Sequence, residues 1–159
     1  MATNTPTSKA ANTDRIEKEI QLRAPPSRVW QALTDAEQFG AWFRSKWDGP
    51  FVAGQRNTGR ILYPGYEHLT MEVWVERMDA EDYFSYRWHP YAVEADVDYA
   101  AEPTTLVEFR LEPKDGGTLL KVTESGFDQL PAHRRDEAFR MNSGGWEQQM
   151  GNIKAHVGG

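Results

Sequence analysis

Between Arg15 and Leu22 the chain alternates, with Ile16, Lys18, Ile20 and Leu22 on one face and Glu17, Glu19 and Gln21 on the other. A period of two is the mark of a half-buried strand. Pro25-Pro26 ends it, because proline has no N–H to give to a ladder. Ser27 is then expected to cap a short helix with Val29, Trp30 and Leu33 on its apolar face. A second short helix is predicted over Ala36 to Phe43, turning Phe39, Trp42 and Phe43 inward. Gly49-Pro50, Gly54 and Gly59 punctuate the next stretch of chain, and Arg60 to Tyr63 reads as a strand. Leu69, Met71, Val73 and Val75 alternate with Thr70, Glu72, Trp74 and Glu76, a strand with one apolar face. After a turn at 78–82, Tyr83 to His89 places Phe84, Tyr86 and Trp88 together. Residues 91–102 are acidic and irregular, and read as a long connection holding at most a weak strand.

The last third carries the plainest pattern. Thr105 to Glu112 and Thr118 to Glu124 flank a Lys114-Asp-Gly-Gly117 turn, so Val107, Phe109 and Leu111 face Leu120, Val122 and Glu124. From Pro131, a residue suited to a helix start, the chain reads as one long helix. Phe139, Trp146, Met150, Ile153 and Val157 form its stripe toward the sheet. Gly144 and Gly145 interrupt that pattern, each costing about 1 kcal/mol relative to alanine in a helix. Either the helix bends or closely approaches the sheet there, or the glycines leave room for a ligand beside Trp146. These elements predict an α+β fold: a curved antiparallel sheet, two short helices, and a long C-terminal helix over a central cavity. Residues 1–14 hold almost nothing that can be buried and read as a disordered leader, with a single domain over 15–158.

Length and charge narrow the function. At 159 residues the chain can bury a real core. A formal net charge of −6 argues against nucleic acid or an anionic membrane as the partner. No apolar run approaches a membrane span, and without cysteine there is no disulfide, thiolate metal site or cysteine nucleophile. The cytoplasm is the expected compartment. Six Trp, six Tyr and seven Phe supply enough large side chains to fill an irregular interior or to line a cavity within it.

The order of elements, together with the runs Ala24-Pro-Pro-Ser-Arg-Val-Trp30, Leu33-Thr-Asp35, Ala41-Trp-Phe43, Val122-Thr-Glu-Ser-Gly-Phe127 and Gly144-Gly-Trp146, resembles the SRPBCC (START-like) superfamily. Within it the chain is similar to bacterial proteins related to the C-terminal domain of the heat-shock-protein-90 ATPase activator. The resemblance spans Arg15 to Val157. It implies a helix-grip fold with a cavity, and carries no catalytic signature onto these positions. The superfamily includes lipid carriers, hormone receptors and polyketide aromatases or cyclases. Where the activator's chaperone-contacting domain would stand, this chain has a short polar leader.

Candidate chemistry is sparse. His68, His89, His133 and His156 are too dispersed for a metal motif, and there is no phosphate loop or Gly-x-Ser-x-Gly elbow. No metal, cofactor or catalytic residue is assigned. Arg134, Arg135 and Arg140 read as surface charges. Glu124 shares the inward face of Leu120 and Val122, so it either enters the interior as a desolvated carboxylate or reaches solvent at the strand end. The leading expectation is a hydrophobic small molecule or lipid in the cavity. Its lining would be Trp42, Phe43, Tyr63, Met71, Val73, Phe84, Tyr86, Trp88, Phe109, Trp146 and Met150, with Glu124 as the polar anchor. Two alternatives are a cyclase- or aromatase-like enzyme pairing Glu124 with Tyr86 or Tyr63, and a chaperone-binding module using Trp74.

Overall fold

Seven strands pair in the order β1-β7-β6-β5-β4-β3-β2, every neighbouring pair antiparallel. In this computed structural model residues 13–93 and 97–159 are described. The elements in chain order are β1 Arg15–Leu22, α1 Pro26–Thr34, α2 Ala36–Phe43, β2 Ser45–Trp47, β3 Arg56–Ile61, β4 Thr70–Asp79, β5 Tyr83–Trp88, β6 Thr105–Lys114, β7 Gly117–Ser125 and α3 Ala132–Val157. The three helices share one face of the sheet, α3 against β1 and α2, and α1 against β6, β7 and α3. This is an α+β helix-grip architecture with a curved sheet. No helix of the described residues is long and apolar enough to cross a membrane.

Local chemistry accounts for most of the boundaries. Helix α1 begins at Pro26, so Pro25 is its N-cap and Ser27 makes no capping bond, contrary to expectation. Asp35 ends α1 and starts α2, where its carboxylate accepts from the Glu37 N–H at 3.0 Å. Strand β3 begins four residues earlier than the apolar pattern suggests and ends two earlier. Its sequence has no alternation, and it is held by pairing to β2 and β4. Gly59 permits that pairing, because a Cβ there would stand 2.7 Å from the Lys46 carbonyl oxygen. Strand β4 runs on to Asp79 through an irregularity between Val75 and Arg77, which shortens the expected turn. Residues 91–102 contain no strand among those described, only a single 3₁₀ turn at Tyr99–Ala101.

Most of the leader expected over 1–14 lies outside the described residues. Its last two are tied down: the Asp14 carbonyl accepts from Gly126 and Phe127, and Thr13 donates to Asp128 at 3.0 Å. Helix α3 continues unbroken through Gly144 and Gly145 for 26 residues. A Cβ at either glycine would meet nothing within 4 Å, so the close helix–sheet approach does not occur. Its buried residues are Ala138, Trp146, Gln149, Met150 and Ile153, while Phe139 packs edge-on against Phe127.

Candidate functional site

Hairpin register puts a carboxylate in the core. In β7 the residues Leu120, Val122 and Glu124 all point inward, and Glu124 stands opposite Val107 of β6 and Ile16 of β1. The Glu124 side chain is fully buried. Of the two readings open at sequence level, the inward one holds. Four donors from three elements converge on it. Thr105 Oγ1, at the start of β6, donates to Oε2 at 2.6 Å, and Trp88 Nε1, at the end of β5, donates to the same oxygen at 2.8 Å. Trp146 Nε1 of α3 donates to Oε1 at 2.8 Å, and Asn142 Nδ2, one turn earlier, reaches both oxygens at 3.0 and 3.2 Å.

All four donors are neutral, and among the described residues no ion pair reaches Glu124. Burial raises its pKa above the ordinary value, while the hydrogen bonds from Thr105, Trp88, Trp146 and Asn142 pull the other way. The indole N–H groups can only donate, so the arrangement suits the ionised carboxylate. Nearby, the Tyr86 hydroxyl is sealed in the core and finds no hydrogen-bond partner among the described residues. Burial, and then the charge of Glu124, push it well above the usual tyrosine range.

Space lies at the edge of this network. A cavity of about 500 Å³ opens between β4, the end of β5 and residues 91–93 and 97–100, with Phe43, Ile61, Leu69, Met71, Trp88 and Tyr91 as its main apolar wall. Its polar lining includes His68, Glu72, His89, Asp98 and Asn142. A smaller recess of about 90 Å³ shares Phe43, Trp88 and Asn142 with it and is lined as well by Gly145, Trp146 and Gln149. Trp88 and Asn142 therefore stand between the Glu124 carboxylate and both spaces.

The roof is held by an arginine that the sequence pattern leaves on the surface. Arg134 is mostly buried; its Nε donates to Glu102 at 2.7 Å, and its two terminal nitrogens donate to the Pro90 and Tyr91 carbonyls at 2.9 and 3.2 Å. Its guanidinium also lies over the Tyr99 ring, 4.8 Å from the centroid. The reason is planarity: a fork of donors can bind two carbonyls and a carboxylate at once.

The expected lining residues divide into three groups. Phe43, Met71, Trp88 and Trp146 border one or both spaces. Trp42, Val73, Phe84, Tyr86, Phe109 and Met150 are closed into the core, where rings stack and cross at 4.7–6.4 Å. The centre that was expected to be hollow is thus filled by aromatic side chains, and the open volume is displaced toward the connection. Tyr63 joins neither space and lies under Arg44, whose guanidinium is 4.9 Å from its ring centroid. Trp74 is half-buried and packs edge-on against His89, 5.7 Å between centroids. Sequence reasoning missed Asn142 and Thr105. Asn142 was detectable, since it lies four residues before Trp146 on the same helix face.

Comparison with known proteins places the chain. The family described as "Activator of Hsp90 ATPase homolog 1-like protein" matches residues 23–158. Protein MLL2253 from Mesorhizobium loti is 24% identical, with 90% of this chain and 96% of that chain covered at a TM-score of 0.71. DynU16, described as "a putative protein in the dynemicin biosynthetic locus", is 20% identical over 91% of this chain and 47% of its own, at a TM-score of 0.70. The Aha1 dimer from Colwellia psychrerythraea is 17% identical over 90% and 95%, at a TM-score of 0.67. No curated protein matches the chain. At these identities the structures share the fold alone, but the family match covers most of the sequence, and the chain belongs to the Activator of Hsp90 ATPase homolog 1-like family.

Proposed function

We propose that the protein binds a hydrophobic small molecule or lipid in the cavity beside residues 91–93 and 97–100. The observation that carries this is the cavity itself: about 500 Å³, mainly apolar in its wall, yet floored by Trp88 and Asn142, which are fixed by hydrogen bonds to a buried charge. That volume falls within the range of small-molecule sites, and a rigid polar floor orients a ligand whose body is apolar. A broader groove of about 760 Å³ between α2 and β2 shares no residue with this network. The likeness to a protein from a biosynthetic locus supports a small organic ligand. Geometry favours binding over cyclase- or aromatase-like turnover, because Glu124 and Tyr86 are both closed off from the cavity. A chaperone partner is supported by the family's description and not by Trp74, which is folded onto His89.

The test is a titration of the protein with octan-1-ol followed by methyl and indole NMR. The Met71 methyl, the Leu69 and Ile61 methyls and the Trp88 indole are expected to shift in a saturable way. Shifts confined to Leu62 and the α2–β2 groove, or none at all with octan-1-ol and equally none with octyltrimethylammonium or octanoate, would end this reading.

A further inference from the structure

The two spaces differ in chemistry, and the smaller one is a box of rings with a negative charge behind it. Phe43, Trp88 and Trp146 meet pairwise around it, with centroids 6.0, 6.2 and 5.9 Å apart. Both indoles donate their N–H to the same fully buried carboxylate. A hydrogen bond from an indole to an anion raises electron density in the ring, and electron-rich aromatic faces attract cations. Among the described residues no Lys or Arg lines either space; Glu72 and Asp98 line the larger one, where Glu72 is paired with Arg56, and Arg134 in the roof is paired with Glu102. The Glu124 charge therefore has no counter-ion among the described residues, in a region where low polarity lets its field extend. The recess has room for a compact headgroup, and it adjoins a cavity sized for an apolar tail.

Resting on the binding role proposed above, we infer that the ligand is a cationic amphiphile whose alkylammonium head enters the Phe43–Trp88–Trp146 box while its apolar body occupies the larger cavity. The cation does not touch Glu124, because Trp88, Trp146 and Asn142 shield the carboxylate; it is held through the rings that the carboxylate polarises. This gives a role to one of the two glycines that precede Trp146 in the helix. Gly145 borders the recess, and any larger side chain there would extend into open space next to the box.

The experiment compares three eight-carbon probes on the intact protein by calorimetric titration: octyltrimethylammonium, octan-1-ol and octanoate. Octyltrimethylammonium is expected to bind about tenfold or more tightly than either of the others, the scale of a desolvated cation–π site. Glu124→Gln is expected to bring that ratio down toward one. Should Glu124→Gln fail to fold, Gly145→Leu supplies the same test, since it blocks the recess from an open helix position and is expected to erase the preference. Equal binding of the three probes would overturn the inference and leave the binding role standing. If none of the three binds, the binding role itself is lost. A preference that survives both variants would also overturn the inference, because the cation would then be held elsewhere.

Discussion

Trp146 of α3 donates its indole N–H to Glu124 of β7 across 2.8 Å, inside a core where both side chains are almost fully excluded from water. The long helix is therefore joined to the sheet by a charged hydrogen bond as well as by apolar packing. Trp146→Phe keeps most of the ring and removes the donor. Hydrogen bonds to charged groups contribute about 1.5–3 kcal/mol, and the abandoned oxygen stays buried, so a loss of that size is expected in urea unfolding at pH 7. A loss under about 0.5 kcal/mol would mean that the bond adds nothing net over its desolvation.

The pH dependence of stability is set in part by the same carboxylate. Burial lifts the folded pKa of Glu124 above its ordinary value of 4.5. The native chain thus holds this proton more tightly than the unfolded chain does. Its contribution to stability is complete below the unfolded pKa and is lost as pH rises through the folded one, the reverse of an ion-paired carboxylate. Subtracting the Glu124→Gln unfolding profile from that of the wild type removes the other carboxylates. The difference is expected to fall as pH rises above 4.5 and then to level. A difference that grows with pH would show that the four hydrogen bonds outweigh burial.

Patterning made some of this legible and hid the rest for definable reasons. The facing of Val107, Phe109 and Leu111 against Glu124, Val122 and Leu120 is a period-two statement, and the register reproduces it pair by pair. Strand β3 escapes the pattern because Arg56, Asn57, Thr58, Gly59 and Arg60 carry no apolar alternation; backbone pairing and the side-chain bonds of Asn57 to the Gly49 and Pro50 carbonyls hold it. Whether Phe84, Tyr86 and Phe109 line a hollow interior or fill it depends on rotamers and helix distance, which no spacing encodes. They fill it. Arg134 reads as a surface charge in sequence since its partners, Glu102 and two carbonyls, lie more than thirty residues away.

The glycine pair in α3 gives a direct stability test. With nothing within 4 Å of a Cβ at Gly144, alanine there meets no obstacle and restores helix propensity. Gly144→Ala is expected to raise stability by up to about 1 kcal/mol. A lower melting temperature would show that the helix needs the glycine's backbone freedom at that turn.

Arg134 controls the roof of the cavity. Its guanidinium binds Glu102, the Pro90 and Tyr91 carbonyls and the Tyr99 ring at once, so it fastens both ends of the connection to the start of α3. Lysine has a single ammonium and cannot make this fork, so Arg134→Lys should behave nearly as badly as Arg134→Ala. Arg134→Ala also leaves the largely buried Glu102 carboxylate without its partner, whereas lysine keeps a charge for it and loses the two carbonyls. The damage should be local, because the described residues of the connection add no strand to the sheet. Hydrogen exchange is the measurement. The Ala100 and Glu102 amides, bonded to Asp98 and to the Tyr99 carbonyl, are expected to exchange about tenfold faster or more, the equivalent of about 1.4 kcal/mol of lost local protection. Amides of the β6–β7 hairpin should keep their wild-type rates. If the connection stays protected in both variants, Tyr99 and His89 would be sufficient to hold it, and Arg134 would not be the residue that shapes the cavity mouth.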